Sequence, residues 1–125
     1  MDENELSRLI IGAAIEVHRE MGPGLLESAY EGCMARELAL RDIPFARQKE
    51  MPVIYKGEKI DCGFRVDLLI DNKVIVELKV VDRLAPIHDA QVLTYLKLTG
   101  CKLALLMNFN VLLMKDGIKR LAKNL

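Results

Sequence analysis

From Leu6 onward the apolar residues Leu9, Ile10, Ala13 and Val17 recur at helical spacing, behind Asp2-Glu3-Asn4-Glu5, in which Asp2 and Glu5 have capping-box spacing. This pattern predicts a first helix over residues 6 to about 19. Gly22-Pro23-Gly24 breaks it, and a second helical stretch from 25 to about 40 ends before Arg41-Asp42-Ile43-Pro44, so the chain opens as a helical hairpin. The period then changes from helical to alternating. Residues 51–55, a turn at Lys56-Gly57 and residues 60–70 read as a β-hairpin, and Asp71-Asn72 turns the chain into a third strand, 73–81, paired with the second. Alternation places Phe64, Val66, Leu68 and Ile70 on one face of the second strand, and Val74, Val76, Leu78 and Val80 on one face of the third. Pro86 suits the first turn of another helix and Gly100 its stop. Residues 102–107 then read as a buried strand, and 111–115 as another before Asp116-Gly117.

Composition narrows the class. A chain of 125 residues leaves room for one domain, and 51% hydrophobic with 29% charged residues is ordinary for a folded globular protein. The longest nearly unbroken apolar stretch, residues 9–15, falls short of the roughly 18 that suggest a membrane span, and Met1-Asp2-Glu3 is unlike a signal peptide. A cytoplasmic protein without membrane association is expected. Cys33, Cys62 and Cys101 lack CxxC spacing, which argues against a disulfide framework or a cysteine zinc site and predicts buried free thiols. His18 and His88 are too far apart for HExxH, so any metal would be held mainly by carboxylates. Net charge is zero, yet residues 1–42 carry 4 basic and 9 acidic groups while residues 43–125 carry 14 and 9. Lys97, Lys102, Lys115, Lys119, Arg120 and Lys123 supply most of the late excess and make a candidate nucleic-acid surface.

Candidate chemistry lies on the strands. Asp67 falls opposite the apolar positions of the second strand, and Glu77 and Lys79 opposite those of the third, so a hairpin at Asp71-Asn72 brings the three charges together. Two carboxylates in one place repel unless a cation lies between them, and magnesium is the natural cation for one or two carboxylates plus water and phosphate oxygens. Lys79 would then hold a water and offset charge on a phosphoryl oxygen. A solvated sheet face with one salt bridge accounts for the same spacing. On the second helix Glu27 returns to the line of Met34 and Leu38, which predicts a desolvated acid on the apolar stripe; a Glu at the stripe's edge near the helix N-terminus fits equally. Tyr30 is its neighbour. His88, Gln91 and Tyr95 form a polar stripe on the later helix, either solvated or walling the charged sheet face.

These residues resemble a known family. Gly24-Leu25-Leu26-Glu27-Ser28-Ala29-Tyr30 matches the signature for which GxxExxY proteins are named. Asp67 with Glu77-Leu78-Lys79 looks like the D…ExK core of PD-(D/E)XK nucleases, and Gln91-Val92-Leu93-Thr94-Tyr95 is similar to the QxxxY element of that superfamily. Val66 stands in place of the proline in the superfamily's name, and Asn110 follows Asn108-Phe109 where the family usually has glycine. The resemblance implies an α/β fold, an αβββαβ core with a central mixed sheet flanked by helices. It further implies Asp67 and Glu77 as ligands of Mg²⁺ or Mn²⁺, Lys79 positioning the attacking water, Gln91 orienting, Glu27 as an additional acid, and Tyr30, His88 and Tyr95 in support.

The function that follows is metal-dependent phosphodiester hydrolysis of DNA or RNA. A nucleic-acid-binding or protein-interaction module that keeps the nuclease fold with weak catalysis is the competing reading, favoured by zero net charge and the lack of a recognition domain. No GxxxxGK[ST] loop occurs to support nucleotide hydrolysis. A symmetric homodimer would extend the basic surface and place two sites.

Overall fold

Helix α1 spans Glu3–Met21 and begins earlier than the apolar pattern suggests, because the Asp2 side chain accepts the Glu5 N–H at 2.8 Å and caps it. It stops at Gly22, whose φ of 68° is easy only for glycine. Helix α2 runs Glu27–Leu40. Strand β1 (Phe45–Tyr55) starts six residues ahead of the predicted 51, since its exposed polar stretch Arg47–Glu50 reads as a loop but is held by ladder pairing to β2 (Glu58–Ile70). Strand β3 (Val74–Lys79) is shorter than expected, and α3 (Pro86–Thr99) crosses over to the parallel strand β4 (Leu103–Asn108). A 3₁₀ turn at Met114–Gly117 leads to β5, Ile118–Ala122. The computed structural model describes the backbone of residues 1–125 and every side chain except that of Cys62.

The five-stranded sheet has the order β1-β2-β3-β4-β5, antiparallel except for β3 beside β4. Helices α1 and α2 cover one face, burying Leu6, Ile10, Val17, Tyr30, Met34 and Leu38 against Leu68, Ile70, Val76, Leu78 and Leu105. Helix α3 covers the other through Val92 and Leu96 on Leu69, Ile75 and Leu106. This is an α/β fold with the expected mixed sheet between helices. Because both faces are covered, the second face of β3 is not a charged surface: Ile75 is as buried there as Val76 is on the first, and among the β3 residues of that face the charges begin only at Glu77.

Three other expectations are corrected. Residues 111–115 form no strand: Leu112 is 90% exposed, and the last strand lies further on, where Lys119 and Arg120 hide the strand pattern. Nor do the four alternating residues of β2 share a face. Phe64 and Val66 pack toward α3 whereas Leu68 and Ile70 pack toward α1 and α2, so the strand turns over at Asp67, beside Gln48 of β1, which has a left-handed φ of 47°. Cys33 and Cys101 are free but half-buried rather than buried; the expectation for Cys62 falls on the one side chain outside those described. Among the described residues no helix is long and apolar enough to cross a membrane.

A candidate acidic site where two strands part

Pairing between β2 and β3 runs from Ile70↔Val74 to Leu68↔Val76 and then stops. The next two residues are Asp67 and Glu77, and their side chains take over from the ladder. The Asp67 N–H donates to Glu77 Oε1 at 3.0 Å, and the Leu78 N–H donates to Asp67 Oδ2 at 2.9 Å. Each acid thus satisfies a backbone donor that the separating strands would otherwise leave unpaired. Glu77 is only 4% exposed and Asp67 half-buried. Burial first, and the adjacent Asp67 charge second, push the Glu77 carboxyl up to about 8, against the Asp67 N–H bond and the Lys79 charge, which lower it.

Other elements close on this fork. Lys79, half-buried two residues past Glu77, acts electrostatically on both Glu77 and Glu27. Glu27, the first residue of α2, is exposed; it does not lie on the apolar stripe, which is Tyr30, Met34 and Leu38. Its carboxyl is nevertheless raised, by partial burial and then by the charge of Asp67, which places it at the site's rim. Tyr30 explains the motif around it. Fully buried, its hydroxyl donates to the Gly22 carbonyl and accepts the Leu25 N–H at 3.2 Å, fixing the loop through Gly24 that aims the start of α2. From α3, Gln91 donates to the Tyr95 hydroxyl at 3.0 Å; burial first, then the Glu77 charge, raises the Tyr95 phenol. His88 is turned away from the carboxylates to its own helix end, where Nδ1 accepts the Ala85 N–H at 2.9 Å.

Three participants escape the sequence. Gln48 donates to Asp67 Oδ1 at 3.1 Å and also to Glu31, which in turn pairs with Arg47 at 3.2 Å. Glu31 could have been found as the i+4 neighbour of Glu27 on one helix face; Gln48 could not, since no glycine or asparagine marks its left-handed backbone. Asn108, 3% exposed, accepts the Val81 N–H at 3.1 Å and donates to the Val81 carbonyl at 2.8 Å, while the Phe109 N–H donates to the Lys79 carbonyl at 3.0 Å. The amide side chain continues the β3–β4 ladder by imitating a peptide group and so holds the chain that carries Lys79.

The six late basic residues form no single cluster, though three of them meet. Lys97, Lys102 and Lys123 line a small cavity with Gly100 at the end of the sheet away from the acids, Lys119 pairs with Asp89 of α3, Arg120 reaches Asn4 before the other face, and Lys115 sits in the 3₁₀ turn.

Among the described residues no three His, Cys, Asp or Glu side chains form a closed metal cage. A hard divalent cation needs less, one or two carboxylates with water and phosphate oxygens, and the adjoining acids Asp67 and Glu77 meet that requirement. The Asp67 charge, second to burial among the causes that raise Glu77, is what a cation would offset. A model of the PD-(D/E)XK nuclease superfamily matches residues 4–121. No curated protein and no solved structure matches the chain.

Proposed function

The chain belongs to the PD-(D/E)XK nuclease superfamily, and from that premise we propose that it is a metal-dependent phosphodiesterase that hydrolyses nucleic acid at the Asp67–Glu77 fork. The observation that carries this is the pairing of a buried and a half-buried carboxylate where two strands separate, with Lys79 beside them. Within the superfamily, Gly24, Glu27 and Tyr30 support assignment to the GxxExxY proteins, because Tyr30 fixes the loop that presents Glu27 to the same site.

Asp67 and Glu77 would hold Mg²⁺ or Mn²⁺, which supplies Lewis-acid stabilisation of charge on the phosphoryl oxygens. Lys79 orients the attacking water and offsets negative charge as the phosphate becomes pentacoordinate. Gln91 and Tyr95 stand as one hydrogen-bonded unit on the α3 side, Gln91 orienting and Tyr95 supporting it within reach of the Glu77 charge. Glu27 adds negative charge at the rim. His88 serves as a helix cap.

The test is cleavage of single-stranded and duplex DNA and RNA with Mg²⁺ or Mn²⁺, beside Lys79→Ala. Loss of one positioned charge of this kind costs about 10²–10³ in kcat, and the half-exposed position leaves folding intact. Equal rates in both proteins would assign the activity to a contaminant. Retained binding without any Lys79-dependent cleavage would favour the catalytically weak binding module.

A further inference from the structure

Six non-glycine residues have a left-handed backbone, and five of them lie where such residues belong: Asp42, Lys56, Asp71 and Asn72 in turns, and Asn124 beyond the last strand. The sixth, Gln48, with a φ of 47°, lies inside β1. That state is costly for any residue with a Cβ, and glutamine lacks the short polar side chain that eases it in aspartate and asparagine. Glycine would adopt it freely. Nor does the register demand it, since pairing runs from Arg47↔Leu68 to Lys49↔Val66 without a shift, leaving Gln48 opposite Asp67. The left-handed residue instead turns β1 over at the level where β2 turns over. Phe45 packs toward α1 and α2, whereas Met51, which alternation would put on the same face, packs toward α3. The reversal brings the Gln48 amide to the acids.

There the amide is held from two sides. Its nitrogen donates to two carboxylates, Asp67 Oδ1 at 3.1 Å and Glu31 Oε1, and because both partners accept, the amide can face them only with its nitrogen. Glu31 is itself fixed by Arg47 at 3.2 Å, its side chain only 12% exposed. The other Asp67 oxygen, Oδ2, accepts the Leu78 N–H at 2.9 Å. Both oxygens of Asp67 are thus oriented by neutral donors, while the neighbouring Arg47 cation is engaged by Glu31. A neutral donor fixes a carboxylate without cancelling its charge, which leaves that charge for a metal. We propose that Gln48 is a positioning residue: tethered on Glu31, its amide holds Asp67 Oδ1 ready for the divalent cation of the fork, and the left-handed backbone is what aims it there. This rests on the metal-dependent reading of the fork. Outer partners of a metal ligand contribute about 10- to 100-fold in affinity, because a ligand already oriented loses less freedom on binding.

Two substitutions separate the amide from the backbone. Gln48→Leu removes the donors and keeps the strained conformation; Gln48→Gly removes the donors and relieves the strain. Lys56→Gly is the control, relieving the same kind of strain at the turn that ends the β1–β2 pairing. Mn²⁺ affinity is read by titration calorimetry, with Glu77→Gln as the reference for a lost ligand, and stability by thermal melts in EDTA. We expect both Gln48 variants to bind Mn²⁺ about tenfold or more weakly, with Gln48→Gly melting above Gln48→Leu. Lys56→Gly should keep the wild-type Mn²⁺ affinity and melt no lower than wild type. Saturating Mn²⁺ should return cleavage by the Gln48 variants toward the wild-type rate, which it does not do for Lys79→Ala. Wild-type Mn²⁺ affinity in Gln48→Leu or Gln48→Gly overturns the positioning role whatever the melts show, and if Gln48→Gly does not fold, Gln48→Leu decides alone. Gln48→Gly melting below Gln48→Leu overturns the part given to the strained backbone. Failure of the fork reading shows separately: wild type then binds no Mn²⁺ that Glu77→Gln weakens, and both proposals fall, whereas Glu77-dependent binding that is indifferent to Gln48 removes this one alone.

Discussion

The same two strands, β2 and β3, behave in opposite ways at their two ends. Near the Asp71-Asn72 turn, Leu68–Ile70 and Val74–Val76 are joined by regular ladder pairing, with apolar side chains buried on both faces. One residue further, the ladder fails and the backbone donors of Asp67 and Leu78 are met by carboxylates instead. The first end stabilises the fold by burial and is indifferent to charge. The second holds charges in a buried place that only hydrogen bonds, a lysine or a cation can offset. The proposed chemistry thus falls where regular pairing ends.

The sharpest way to break that contrast is through pH. Glu77 has a carboxyl raised from 4.5 to about 8, so between those values the native state holds a proton that the unfolded chain has released. Metal-free stability must therefore fall as pH rises through this window, by on the order of 4 kcal/mol. Glu77→Gln should flatten the slope and leave the metal-free protein at least as stable at neutral pH, though inactive. Urea melts in EDTA from pH 5 to 8 read this; parallel slopes in both proteins would make Glu77 an ordinary salt-bridge residue. At the closed end, Leu68→Ala should cost about 2–5 kcal/mol by the same melts at every pH, with unchanged activity per folded molecule. A pH-dependent loss there would erase the distinction between the ends.

A smaller effect separates support from chemistry. Asn108→Leu removes the bonds to Val81 and should cost about 1–3 kcal/mol, and it should lower kcat while KM holds, because Lys79 is carried by the same stretch of chain. Asn108→Asp, which keeps the acceptor for the Val81 N–H but loses the donor to its carbonyl, should recover part of the rate. A stability loss without any change in kcat would confine Asn108 to the fold.

Much of this was readable in the residues. The helical spacing of Leu6, Ile10, Ala13 and Val17 gave α1, Asp71-Asn72 gave the β2–β3 turn, and Pro86 and Gly100 bounded α3. Asp67, Glu77 and Lys79 are close together as alternation implied, but for a reason alternation does not contain: β2 turns over beside a left-handed Gln48, and pattern reading assumes that a strand keeps its faces. Local apolarity misled at Leu112 and Leu113, which are exposed, and local polarity hid β5 and the start of β1, where pairing with a neighbour rather than side-chain character makes the strand. Of the late basic residues, folding gathers Lys97, Lys102 and Lys123 at one end of the sheet and sends Lys119 and Arg120 to separate partners.

The chain has no tryptophan and three tyrosines, and the fold puts each in a different region: Tyr30 in the core beneath α2, stacked 4.5 Å from Phe109; Tyr95 near the acids; Tyr55 at the end of β1, beside the turn into β2. Its near-ultraviolet signal is thus the sum of three chromophores in three environments. Unfolding would be reported by Tyr30, a change of charge at the fork by Tyr95, whose phenol is raised by the charge of Glu77 after burial, and events at the exposed β1–β2 turn by Tyr55. Single tyrosine-to-phenylalanine replacements would separate the contributions and turn ordinary absorbance and fluorescence into a three-channel readout without any added dye.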